Sequence, residues 1–287
     1  MRFFEYSEPA TLDEAVALLR TCSGQASLVA GGTDLMVQMK EHIRQPDRVI
    51  NIKKIPGMDD FSYDERTGLT LGALVTTRAV ETSPVTQEHY ASLCRAATDF
   101  ASIQVRNRAT VAGNVCRASP SADTLPPLMA DDAILQIYGP AGRRSVAVAD
   151  FCTGPGKTAL GADEIVTHIT IPPPPPCTGK VYIKHGRRAQ MELATVGVAV
   201  SLTLDGGTCR EVGIVLAAVA PTPLRAKAAQ ALLRNKPITT ALIAAAAQAA
   251  SDEARPIDDV RGSAEYRRQM VKVLTRRAIE QAIEEAL

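Results

Sequence analysis

Five consecutive prolines, Pro172 to Pro176, limit this 287-residue chain more than any other stretch. Proline has no amide hydrogen and a fixed φ, so neither a sheet interior nor a helix can run through such a segment. The run favours a stiff polyproline II connector. The main domain boundary is placed here, with a proline-ligand motif for a signalling domain as the alternative reading. With 46% apolar residues the chain can bury a real core, and the length alone suggests about two domains. A further change of pattern falls near residue 56. The segments that result are 1–55, 56–176 and 177–287.

Local signals fill in the elements. Thr11 with Glu14 three residues on has the capping-box pattern, and Leu12, Ala15, Val16 and Leu19 follow at helical spacing. Strands over 26–30 and 49–52 make the first segment a small α/β unit. In the second, 69–75 alternates into a strand, and 77–82 and 86–99 read as helices. Paired strands over 133–138 and 144–148 flank a Gly-Pro-Ala-Gly turn, and 165–171 is another strand. Beyond the prolines come strands near 179–187, 193–204 and 210–219, then helices near 224–234, 239–254 and 263–285. The turn Asp205-Gly206-Gly207 supports antiparallel pairing of the last two strands. The third segment is thus a three-stranded antiparallel sheet covered by helices, and the chain as a whole is α+β.

Several function classes drop out. The formal charge is +1, from 32 basic and 31 acidic residues, which leaves no basic stripe for nucleic acid. No run of 18 apolar residues exists, so no membrane span is expected. The first six residues lack an apolar signal core, and a cytoplasmic location follows as the expectation. Cys22, Cys94, Cys116, Cys152, Cys177 and Cys209 are scattered without a C-x-x-C pair, and no two of the four histidines have metal-ligand spacing. Neither a metal site nor a catalytic triad is visible, so no residue is singled out as catalytic.

Two glycine-bearing stretches stand out instead. Leu28-Val29-Ala30-Gly31-Gly32-Thr33-Asp34-Leu35 reads as an apolar strand, a glycine turn, a hydroxyl and a helix start. Thr110-Val111-Ala112-Gly113-Asn114-Val115-Cys116-Arg117 reads the same way, as a short strand and a Gly-Asn turn. Ser119, Ser121 and Asp123 then precede the apolar run from Leu125. Such loops expose several backbone N–H groups together, and a nest of that kind holds phosphate. Each also reads simply as a tight turn. Neither has the G-x-G-x-x-G spacing of a Rossmann unit. Arg106 and Arg108, just before the second stretch, could also meet phosphate.

Four motifs in order resemble one family. They are AGGTDL at 30–35, RNRATVAGN at 106–114 with SPSAD at 119–123, YIKHGRR at 182–188 with ELATV at 192–196, and RGSAEYRR at 261–268. Together they are similar to the FAD-binding medium subunit of molybdenum hydroxylases, across the whole chain. The resemblance implies a vanillyl-alcohol-oxidase-type FAD-binding domain of two α/β subdomains, 1–55 and 56–176. It implies a carbon monoxide dehydrogenase flavoprotein-like C-terminal domain, 177–287, leaning over the flavin ring.

It also implies roles. Ala30, Gly31, Gly32, Thr33 and Asp34 would wrap the FAD pyrophosphate with Gly113 and Asn114, Thr33 and Thr110 would add hydroxyls, and Leu35 and Ala112 would bind the cofactor beside them. Ser119, Ser121 and Asp123 would follow, with Asp123 accepting from ribose or ribityl hydroxyls. Lys184 would lie near the pyrimidine edge of the flavin and raise its potential, with Glu192 ordering Lys184 or Arg188. Without the resemblance, Lys184, Arg188 and Glu192 read as a solvated strand edge. Cys116 reads as a packing residue. The molybdenum cofactor and two [2Fe–2S] clusters would sit on a large and a small partner chain, in a heterotrimer that is doubled. Electrons would pass through FAD to NAD or another acceptor. A self-sufficient FAD oxidase of the vanillyl-alcohol-oxidase type, and a scaffold protein that has lost the flavin, stand as alternatives. The first would need a base that the sequence does not display, and the intact glycine loops count against the second.

Overall fold

The computed structural model describes residues 1–22, 24–188 and 191–287. Three larger sheets succeed one another among the described residues, and a two-stranded ribbon pairs Cys152–Gly154 with Lys157–Thr158. The first is parallel, with Arg48–Asn51 between Glu5–Ser7 and Ala26–Val29. The helix Leu12–Thr21 covers it, burying Ala15, Val16 and Leu19. Thr11 caps that helix by accepting from Glu14 N at 3.2 Å, and the Glu14 carboxylate reaches back to Ala10 N at 2.8 Å. The box thus closes one residue earlier than the simple pattern requires.

The second sheet is antiparallel, in the order Phe61–Asp64, Gly68–Gly72, Ile165–Ile171, Ile134–Gly139, Gly142–Ala147. The helix expected over 86–99 is two helices, Pro84–His89 and Ala91–Asp99. Tyr90 breaks it with φ −135° and is fully buried. Its hydroxyl donates to Pro172 O at 3.1 Å, so the break fastens the start of the proline run to the core.

The third sheet is built on three long antiparallel strands, Thr178–His185, Val196–Asp205 and Thr208–Ala217. Two short strands extend it, Leu224–Arg225 and Lys236–Pro237, both against Thr208–Ala217. The expected three strands are therefore joined by two edge pieces that polar, proline-bearing sequence did not mark. Helices Lys227–Leu233, Thr240–Glu253 and Ala264–Ala286 follow, with Ser263 capping the last through Tyr266 N at 3.1 Å. Among the described residues no helix is long and apolar enough to cross a membrane.

One face of the strand Thr178–His185 joins this domain to the rest. Lys180, Tyr182 and Lys184 alternate along it, so they share a face. The Lys180 ammonium forms a buried pair with Asp131 and lies 5.2 Å from the centre of the Tyr90 ring. Tyr182 and Lys184 both reach Asp123. Asp123 and Asp131 flank the short helix Leu125–Ala130, so one strand grips that helix at both ends. The backbone of Gly213 also comes so close that a Cβ there would stand 2.5 Å from Ala130 O.

Candidate functional site

A cleft of about 910 Å³ opens between the first sheet, the 100–123 region and the segment leading into the strand Val196–Asp205. Its size lies at the upper end of small-molecule sites, about 300–1,000 Å³. Both glycine stretches line it.

The first stretch folds as expected, with the strand Ala26–Val29, a turn, and the helix Leu35–Lys40. Gly32 has φ +76°, a conformation that favours glycine. From Gly31 to Leu35, none of the five backbone N–H groups meets an acceptor among the described residues. Ala30 and all five of these residues line the cleft. Successive unpaired N–H groups in such a turn form an anion-binding concavity. Asp34 contributes no side-chain cap; its carboxylate pairs with Arg117, Nε to Oδ2 at 2.8 Å.

The second stretch differs from expectation. Val111–Arg117 is a helix, not a strand and a Gly-Asn turn. Thr110 caps it by accepting from Gly113 N at 3.0 Å, and Asn114 N donates to Thr110 O at 3.0 Å. The N–H groups expected of Gly113 and Asn114 at the pyrophosphate are thus used within the helix. Val111 N donates to Val75 O at 3.1 Å. Ala112 N–H is the one in this first turn that finds no acceptor among the described residues. The Asn114 side chain accepts from Thr124 Oγ1 at 2.6 Å, tying this helix to the start of the next. Replacing Thr110 with valine is expected to cost about 1 kcal/mol through loss of the cap, measured by urea unfolding.

The two stretches meet. A Cβ on Gly31 would stand 2.0 Å from Arg108 O and 2.9 Å from Ala109 Cα. Only glycine lets the first loop lie against the backbone that leads into Thr110. Arg106 is not available to a ligand. Its Nε contacts Glu81 Oε2 at 2.8 Å and its Nη1 donates to the carbonyls of Thr98, Phe100 and Ala101. Arg108 is exposed and lies outside the cleft lining.

Ser119, Ser121 and Asp123 all line the cleft. Ser121 Oγ donates to Ala194 O at 3.5 Å. Asp123 is buried, and it accepts from Tyr182 OH at 2.9 Å and from Lys184 Nζ at 2.9 Å. Burial raises its carboxyl above the ordinary range, and Lys184 opposes that shift. Both carboxylate oxygens therefore already hold protein donors. Lys184 also donates to Asp99 O at 3.0 Å, so its charge is directed at Asp123 and not into the cleft. Arg188 is exposed and pairs with Glu192 at 3.2 Å. Glu192 lines the cleft beside Met191 and Leu193, which come from the C-terminal domain. Of the two partners expected for Glu192, it meets Arg188 and not Lys184. Cys116 lines the cleft too; burial pushes its thiol up to about 12, which leaves it protonated.

The sequence reading passed over Arg117, Met191 and Leu193. Arg117 had a signal, being the one cation inside the second glycine stretch. Leu193 lay within the ELATV motif at 192–196 without a role of its own, and nothing local distinguishes Met191 from core.

The cleft suits an extended, phosphate-bearing ligand. Unpaired N–H groups cluster where the two loops meet, and apolar, hydroxyl and several charged side chains line the remainder. Comparison with known proteins agrees. The family described as FAD binding domain in molybdopterin dehydrogenase matches residues 2–174. The CO dehydrogenase flavoprotein C-terminal domain matches residues 181–282. The xanthine dehydrogenase FAD-binding subunit of Escherichia coli is 34% identical over 283 residues, covering 98% of this chain and 96% of that protein. The carbon monoxide dehydrogenase medium chain of Hydrogenophaga pseudoflava is 34% identical, covering 97% of this chain and 96% of that one. A solved carbon monoxide dehydrogenase from the same organism superposes with a TM-score of 0.95 at 36% identity, covering 99% and 98% of the two chains. Quinoline 2-oxidoreductase from Pseudomonas putida superposes with a TM-score of 0.92 at 29% identity, covering 100% and 99%. The chain belongs to the FAD-binding medium-subunit family of the molybdenum hydroxylases, and it is an oxidoreductase flavoprotein subunit.

Proposed function

We propose that this chain holds one FAD in the cleft and relays electrons within a molybdenum hydroxylase. A large molybdopterin-binding chain would oxidise the substrate, and a small chain with two [2Fe–2S] clusters would deliver electrons here. NAD or another acceptor would take them away. The complex would be a dimer of heterotrimers in the cytoplasm. The division at 55 and 176 belongs to this reading, and it is supported by each sheet lying within one segment.

The observation that carries the proposal is the meeting of the two loops at Gly31, with unpaired N–H groups from Gly31 to Leu35 and at Ala112, all in residues that line one cleft. Those groups would hold the diphosphate. Ala30, Thr33, Ser119 and Ser121 line the same space and would complete the cradle. Asp123, fixed by Tyr182 and Lys184, would present a lone pair of a set carboxylate to a ribityl or ribose hydroxyl. Met191, Glu192 and Leu193 would shield the cofactor from water on the side of the C-terminal domain. When bound, the flavin supplies an exchange between one-electron and two-electron carriers, while the protein supplies placement and electrostatics.

Titration of the deflavinated chain with FAD checks this. One FAD should bind per chain, and the loaded chain alone should oxidise an added reduced carrier but hydroxylate nothing. Failure to take up FAD would overturn the reading. Substrate-driven reduction without partner chains would turn it toward a self-sufficient oxidase.

A further inference from the structure

The cleft holds one side chain whose chemistry is left over. Arg117 is the last residue of the helix Val111–Arg117, and it lines the cleft. Its guanidinium forms an ion pair on one side, with Nε 2.8 Å from Asp34 Oδ2. Gln38 donates to the same oxygen and steadies it. The pair therefore runs from the second stretch to the first, across the place where the unpaired N–H groups collect. The terminal guanidinium nitrogens meet no acceptor among the described residues. Gly156 packs beside them; a Cβ there would stand 3.4 Å from Arg117 Nη1.

Charge makes this arrangement informative. Among the described residues that line the cleft, two are cationic, Arg44 and Arg117, while Asp34, Asp123, Glu164 and Glu192 are anionic. Asp123, Glu164 and Glu192 are partnered by Lys184, Arg144 and Arg188. A diphosphate entering beside Asp34 would meet a carboxylate unless a cation stood between them. Arg117 stands there. Its planar fork offers donors on two edges, so it can keep Asp34 on one and take a phosphate oxygen on the other. Lysine, a point charge, cannot divide its donors in that fixed geometry.

We propose that Arg117 is a further cofactor-binding residue. It donates from its free edge to the diphosphate, and Asp34 orients it through Nε. This rests on the FAD reading above, and the experiment separates the two. Deflavinated full-length chain and its R117Q and R117K variants are titrated with FAD and with riboflavin, which carries no phosphate. R117Q is expected to weaken FAD binding about tenfold, the scale of one charge-assisted hydrogen bond, and to leave riboflavin binding unchanged. The salt dependence of FAD binding should fall with it. R117K should restore part of the loss. Equal weakening of both ligands, or no weakening of FAD, overturns the proposal and leaves Arg117 as a tie between loops. If R117Q does not fold, R117K carries the same comparison, with FAD weakened several-fold and riboflavin unaffected. An unsubstituted chain that binds neither ligand overturns the cofactor reading itself, and this proposal with it.

Discussion

A Gly31→Ala chain is expected to lose most of its FAD while keeping its secondary structure. The new Cβ would stand 2.0 Å from the Arg108 carbonyl oxygen and 2.8 Å from its carbon. Both atoms belong to the backbone, so no side-chain rotation relieves the contact. Overpacking of this kind typically costs about 1–3 kcal/mol. The least costly relief is to slide the Ala30 to Asp34 turn away from the Arg108–Thr110 segment, because no backbone N–H from Gly31 to Leu35 is bonded to the protein among the described residues. That motion separates the N–H groups of the first loop from Ala112. If about 2 kcal/mol of the strain is recovered only in the separated form, FAD affinity falls about thirtyfold. Flavin content after gel filtration, with far-ultraviolet circular dichroism on the same sample, reads both effects. An alanine variant that retains stoichiometric FAD would mean that the close approach of the loops is not what shapes the site.

The second large effect is expected at Lys184. Its ammonium and the Asp123 carboxylate are both buried, 2.9 Å apart. Lys184→Gln leaves Asp123 with the Tyr182 hydroxyl and no cation. Removing one partner of a buried pair typically costs about 3–5 kcal/mol. The pH dependence identifies the cause. Burial already holds the Asp123 carboxyl above its ordinary value despite Lys184. A carboxyl raised in the folded state favours folding when protonated, so stability falls as pH rises from the ordinary carboxylate range through the raised folded value. Without Lys184 the folded value rises further, and the loss extends to higher pH. The variant should therefore be more destabilised at pH 8 than at pH 5, relative to the parent. Adding Asp123→Asn should recover much of the loss and flatten the pH dependence. A penalty independent of pH would show that Lys184 acts through packing alone.

Much of this molecule is written in short-range signals. The caps at Thr11 and Ser263 and the alternating strands after the prolines are decided by residues within a few positions of one another. The cleft was legible only as two glycine stretches. That they touch depends on Arg108 and Gly31, 77 positions apart, and no local rule encodes it. The stretch after Thr110 misled because Thr and Val favour strands. There the Thr110 cap and the burial of Val111, Ala112 and Val115 outweigh that preference. The helix over 86–99 fails at Tyr90 for a comparable reason, since the ring is drawn into the core to hold Pro172. Asp123 was legible as a carboxylate in a loop, but its donors lie 59 and 61 residues further on, across a domain boundary. Arg106 was visible as a cation, whereas the carboxylate and three carbonyls that occupy it come together only in the fold.

The central claim is tested most directly by a crystal structure of the chain with FAD. The diphosphate should lie between Gly31–Leu35 and Ala112, accepting hydrogen bonds from backbone N–H groups of both loops. FAD bound elsewhere, or bound with those N–H groups turned to solvent, would contradict it.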